Sequence, residues 1–145
     1  MSAGFLGGPR VSAWDGSSPD SSGKYVRKPF ADFFAFDQSL RNGVYIAVGD
    51  LDGDGKAELI SGAGPGGGPH IIAFSGSQLL ENRHSHVANF FGGNTENRGG
   101  IRLVARNLDG DNLADIVIGD GVDAGTRVTG YLGKMITPTN TPDPA

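Results

Sequence analysis

Cysteine is absent from the 145 residues, which excludes disulfides and thiolate metal sites and leaves the redox compartment unreadable. No run approaches the length of a membrane span. The opening Met-Ser-Ala-Gly-Phe-Leu-Gly-Gly has neither the basic stretch nor the apolar run of a signal peptide. Any export signal is therefore expected outside this chain. Helical periodicity of any length is missing too. The formal net charge is −4 with no basic stripe, which gives no footprint for nucleic acid. What the chain has in excess is glycine, 25 residues, set between short apolar runs. That combination predicts an all-β fold of short strands and Gly-rich turns, in a chain of one domain's length that can bury a core.

Residues 50–58 read Asp-Leu-Asp-Gly-Asp-Gly-Lys-Ala-Glu, and 57 positions later the chain writes Asn-Leu-Asp-Gly-Asp-Asn-Leu-Ala-Asp at 107–115. Oxygen ligands at alternate positions, then a carbonyl, then a carboxylate can wrap one Ca²⁺. The first loop offers Asp50, Asp52, Asp54, the carbonyl of Lys56, and Glu58; the second offers Asn107, Asp109, Asp111, the carbonyl of Leu113, and Asp115. The expectation is two Ca²⁺ per chain. Gly55 and Asn112 share one slot, where a tight turn is expected to need positive φ. The plain alternative is a solvated polar turn, since Asp and Gly populate turns anyway; a second copy in the same phase argues against it.

An EF-hand is rejected by the residues. It needs a bidentate Glu at loop position 12 and flanking helices, whereas that position is Ser61 in one loop and Ile118 in the other. The flanks, Val44-Tyr45-Ile46-Ala47-Val48 and Leu59-Ile60, then Ile101–Ala105 and Ile116-Val117-Ile118, read as buried strands. The metal is thus expected in a strand–loop–strand hairpin. The two loops hold seven carboxylates, so two Ca²⁺ would bring the formal charge to zero, relieve repulsion and stabilise the fold by mass action. Weak Ca²⁺ sites suit compartments outside the cytosol, where the ion is plentiful.

The offset of 57 also aligns Phe33-Phe34 with Phe90-Phe91, Gly43 with Gly100, Ile46 with Leu103, Gly62 with Gly119, Ile71 with Val128, Phe74 with Tyr131 and Gly76 with Gly133. A second offset, 60, aligns residues 7–16 with 67–76. A period this long, with about four short strands, is the signature of propeller blades. The pattern of apolar strand, Asp-x-Asp-x-Asp-Gly, acidic residue, apolar strand and Gly-Ala-Gly-Pro-Gly-Gly-Gly-Pro (62–69) resembles the FG-GAP/VCBS repeats. Those build the seven-bladed propeller of integrin α-subunits and of many secreted bacterial proteins. The resemblance covers roughly residues 2–134 and is weaker in the second copy, where Gly121-Val122-Asp123-Ala124-Gly125 replaces the Gly-Pro run and Asn107 the first Asp. It implies an extracellular or cell-surface, Ca²⁺-rigidified scaffold for adhesion or binding, and names no ligand.

The predicted organisation is a partial blade over 1–40, a full blade over 41–97 and a partial blade over 98–134, followed by an extended Thr/Pro-rich linker at 135–145. The strands are expected at 9–15, 30–36, 44–49, 57–62, 69–75, 86–91, 101–106, 114–119 and 126–132, a little over two blades of four antiparallel strands. A closed propeller takes four to eight blades. The chain is therefore expected to be a piece of a longer array, or to close as a homo-oligomer in which one copy's N-terminal strands complete the next copy's last blade. Ser2-Ala3-Gly4 aligns with Gly62-Ala63-Gly64, which places the start in mid-blade.

Other candidates weigh less. His84 and His86 lack a third ligand and read as a polar loop entering a strand. Trp14, Phe74 and Tyr131 recur in phase, which signifies blade packing, although an exposed Trp14 would favour a sugar platform. Phe33, Phe34, Phe90 and Phe91 read as inter-blade core. The run 62–68 lacks the Lys-Ser/Thr ending of a phosphate loop. Arg98, Arg102 and Arg106 form the only cluster of positive charge, with Arg102 solvated or bridging. The Ser-, Gly- and Lys-rich loop 16–29 is a place for binding on a rigid scaffold. No Ser/His/Asp constellation has a recognisable context, so the expected function is non-enzymatic, lectin-like or adhesive recognition of an extracellular protein or glycan. The alternative is an accessory or catalytic propeller of a secreted carbohydrate-active enzyme.

Overall fold

The computed structural model describes every residue except Ala3, Phe5, Leu6, Ser18, Asp123 and Ala124; the alignments through Ala3 and through Asp123-Ala124 lie outside the described residues. The protein is all-β, in three antiparallel sheets. A two-stranded sheet pairs β1 (Arg10–Val11) with β2 (Phe33–Phe34). A four-stranded sheet runs in order β3 (Val44–Gly49), β4 (Glu58–Ala63), β5 (His70–Phe74) and β6 (His86–Phe91). A three-stranded sheet holds β7 (Ile101–Arg106), β8 (Asp115–Asp120) and β9 (Val128–Tyr131). One helical turn, α1 (Gly76–Leu79), follows β5, and a 3-10 turn (Gly133–Met135) follows β9. Strand order equals chain order in each sheet, the meander of a propeller blade. The nine expected strands are all present, but those at 9–15 and 30–36 pair over only two residues each.

The repeat in sequence is a repeat in register. Val44 faces Ala63 and Gly49 faces Glu58; 57 positions on, Ile101 faces Asp120 and Arg106 faces Asp115. Leu59 faces Phe74 as Ile116 faces Tyr131. The two sequence offsets have one cause. Val11 pairs with Phe33 as Ile71 pairs with Phe90, so the three-residue difference is an insertion in the loop joining those strands. That loop is the Ser- and Gly-rich segment, closed on itself by the Pro19–Tyr25 bridge and by Asp20, which accepts the N–H groups of Ser22 and Lys24 at 2.9 Å.

Sheets stack face to face, so the four-stranded sheet is buried on both sides. Alternation along each strand sends neighbours to opposite faces. Ile60, Ile71, Ala73, Ala88 and Phe90 join Ile101, Ile116, Ile118 and Tyr131 in one core. Leu59, Ile72 and Phe74 join Val11, Phe33 and Val44 in the other. All six residues of β4 are buried, which is why its sequence reads as a continuous apolar run rather than an alternating one.

The same alternation corrects two expectations. Phe33 and Phe90 are core, but Phe34 and Phe91 are 44% and 49% exposed, each one residue out of phase with the core face. Phe91 stacks on His70 at 4.5 Å between centroids. Phe74 and Tyr131 are buried, whereas Trp14 is 39% exposed, with the Lys28 ammonium 4.3 Å above its ring. His84 stacks on Phe33, and Arg102 reaches over Tyr45 at 4.1 Å, which makes it the bridging residue. The tail also departs from an extended linker. Ile136 packs on the core, Pro142 is buried, Asn140 donates to the carbonyl of Met135, and the N–H of Ala145 bonds the carbonyl of Gly130 at 2.9 Å.

At the other end, Asp32 receives Lys28 at 2.7 Å and the guanidinium of Arg10. Hydrogen bonding by Lys28, above all, holds its carboxyl down to about 2. A depressed folded-state pKa contributes stability above the ordinary carboxylate value of about 4 and loses it as pH falls through the folded value. Melting curves of the wild type and Asp32→Asn are therefore expected to differ at pH 6 and to converge between pH 4 and pH 2. A gap unchanged at pH 2 would refute this.

Candidate metal centre

Each acidic loop connects the first two strands of its sheet, β3 to β4 and β7 to β8, as the hairpin reading expected. The loops lie side by side on the same rim. The N–H of Ala114 bonds the carbonyl of Asp50 at 2.6 Å, and Gly49 is pressed against the methyls of Ala105 and Ala114. Tight turning is achieved by Gly53 and Gly110, at φ +79 and +82, with Gly55 at +80. Asn112, expected to share this conformation, does not adopt it, whereas Gly55 in the same slot does; a residue with a Cβ carries a steric penalty there that glycine escapes.

Within the first loop, side-chain oxygens organise the backbone. Asp50 accepts the N–H of Gly53 at 2.7 Å and of Gly55 at 2.9 Å, Asp52 that of Asp54, and Asp54 that of Lys56. Carboxylate oxygens of Asp50, Asp52 and Glu58 lie within 4.8 Å of one another, and no other three acidic, His or Cys side chains converge in this way among the described residues. An all-oxygen, anionic donor set of this kind fits a hard divalent ion. Asp54 stands outside the converging three and is exposed.

Glu58 is fully buried. One oxygen accepts the N–H of Leu51 at 2.7 Å and the other that of Gly76 at 3.3 Å. Asp115 repeats the arrangement 57 residues on, with Leu108 at 2.5 Å and Gly133 at 2.8 Å. The last carboxylate of each loop thus latches the loop's second residue to the turn after the third strand, and each oxygen keeps a lone pair for a cation. Burial pushes the Glu58 carboxyl up; the two N–H groups oppose this, and Asp52 and Asp54 add to it.

In the second loop, Asn107 accepts the N–H of Gly110 at 2.7 Å and donates its amide to the carbonyl of Asp111. Asp109 and Asp111 accept the N–H groups of Asp111 and Leu113. A residue that loop spacing did not mark enters here: Lys134 places its ammonium 2.6 Å from Asp109. This contact holds the Asp109 carboxyl below its ordinary value and raises the Lys134 ammonium. The sequence signal for the surrounding structure was the in-phase pair Gly76 and Gly133; nothing in the loop pattern pointed to the lysine beside it.

No helix among the described residues is long and apolar enough to cross a membrane. Comparison with known proteins gives a match to the FG-GAP repeat family over residues 42–76, and no match among curated proteins or solved structures. The matched span begins before β3, contains the first acidic loop and β4, and ends at Gly76, the N–H donor to Glu58. The chain therefore carries an FG-GAP repeat at residues 42–76, and that repeat contains every residue of the converging oxygen cluster.

Proposed function

We propose that the chain is a non-enzymatic, Ca²⁺-stiffened propeller module for recognition or adhesion outside the cell, of a protein or a glycan. The observation that carries this reading is the convergence of Asp50, Asp52 and Glu58 inside the matched repeat. Asp50, Asp52, Asp54, Glu58 and the carbonyl of Lys56 would hold the ion, and the ion would fix β3 against β4 and stiffen the rim. With Ca²⁺ at a hundredfold excess over its dissociation constant, stabilisation of about 2.7 kcal/mol is expected, or roughly 5–10 °C in Tm. Asp52→Ala should remove that increment while leaving the melting in chelator close to wild type. Wild-type melting that is indifferent to chelator would overturn the reading.

The recognition surface is best sought at the N-terminal loop, where the half-exposed Trp14 and Tyr25 border a cavity of about 680 Å³. Amphipathic rings at such a site suit sugar or peptide stacking. Self-association of copies is supported by the far face of the last sheet. Val128 is 70% exposed, while its in-phase counterpart Ile71 is buried against a neighbouring sheet. A face built like the packed one but lacking a neighbour is suited to another blade, and the open strand edges reinforce the need for one. Native mass spectrometry with and without chelator reads the assembly directly.

A further inference from the structure

The second acidic loop is not a copy of the first in the feature that matters for a cation. We propose that Lys134 is a built-in cation for loop 107–115, so that the chain binds a single Ca²⁺, in the first loop. This rests on the Ca²⁺ reading of the first loop and differs from it in what it says of the second.

Three observations carry the proposal. The Lys134 ammonium sits 2.6 Å from Asp109, the residue that corresponds to Asp52, so a ligand of the second loop is already engaged with positive charge. Among the described residues no ion pair joins any cation to the carboxylates of the first loop. The residue 57 positions before Lys134 is Ser77, whose hydroxyl pairs with that of Ser75. The lysine is therefore particular to the second copy rather than part of the repeat.

The donor set differs in the same direction. The first loop has four carboxylates, and the second has three because Asn107 stands where Asp50 does. Its side-chain amide is committed within the loop, donating to Asp111 and accepting from Gly110. Affinity for Ca²⁺ falls as charged ligands are lost, and an ammonium beside one of those remaining adds direct repulsion. Lys134 and Asp52 also line the same cleft of about 300 Å³ between the loops, so the lysine lies on the approach to the rim. One unit charge tethered by the chain does for the second loop what a free divalent ion does for the first, and without dependence on its concentration.

Native mass spectrometry and calorimetric titration with CaCl₂ decide the stoichiometry for the wild type, Lys134→Met, and Lys134→Met with Asn107→Asp, each checked for folding by circular dichroism in chelator. One Ca²⁺ is expected on the wild type, removed by Asp52→Ala, and two on the double variant, which restores the full ligand set. Two Ca²⁺ on the wild type would overturn the role of Lys134 and leave the first-loop reading intact. A folded double variant that still takes one would overturn it as well. A wild type that takes none would instead bring down the first-loop reading itself.

Discussion

Replacing Glu58 with alanine is expected to cost roughly 2–5 kcal/mol of folding stability even in chelator, because two backbone N–H groups lose their acceptor in a closed site. Glu58 has no exposed surface, and its oxygens hold Leu51 and Gly76. The loop and the turn after β5 are thereby tied through one side chain. Asp54 is the internal control. It belongs to the same acidic loop but is exposed, and its contact is with the N–H of Lys56, two residues away. Asp54→Ala should therefore move stability in chelator by no more than about 0.5 kcal/mol. Urea denaturation of both variants in chelator tests the contrast, and equal losses would mean that Glu58 acts only through a metal. Glu58→Gln should fall between the two, since an amide keeps one acceptor and turns a donor toward the other N–H.

The second large effect is expected at Gly76. A methyl group there would stand 2.1 Å from the carbonyl oxygen of Ala57, and at Gly133 one would stand 2.3 Å from that of Ala114. Both partners are backbone at the start of a paired strand, so neither can yield cheaply. Gly76→Ala is expected to cost about 3 kcal/mol, at the upper end of overpacking penalties, since the shift also draws the N–H away from Glu58. Gly119→Ala gives the contrast. Among the described residues of the same chain nothing lies within 4 Å of the position its methyl would take, and the stability of the monomer should change by less than about 0.5 kcal/mol. Thermal melts of the two variants check this; a tolerated alanine at Gly76 would show that the latch is looser than its geometry implies.

Gly119 also shows where sequence reasoning stops. It aligns with Gly62, whose added methyl would strike Leu103 at 2.6 Å. The two positions are equivalent in the repeat and differ because one faces a neighbouring sheet and the other does not. The strands, their order and their pairing were legible because apolar runs, Gly turns and a fixed period all pointed to the same meander. The difference between Phe33 and Phe34, or between Phe90 and Phe91, was not, since two adjacent phenylalanines carry no alternation of their own and only packing shows which ring of each pair meets the core. Nor was the seating of the tail, whose Thr and Pro residues suggest a linker until Ile136 finds the core.

The sequence by itself determined a duplicated all-β unit with an oxygen-rich loop between its first two strands, since local period and turn chemistry are written residue by residue. Only the tertiary structure decided which carboxylates converge, that Glu58 and Asp115 latch to turns 18 residues away, and that Lys134 reaches Asp109 across 25 residues. Those contacts depend on how strands stack and return. A chain's period records which unit is repeated, but what each copy meets is set by the neighbours that packing brings to it.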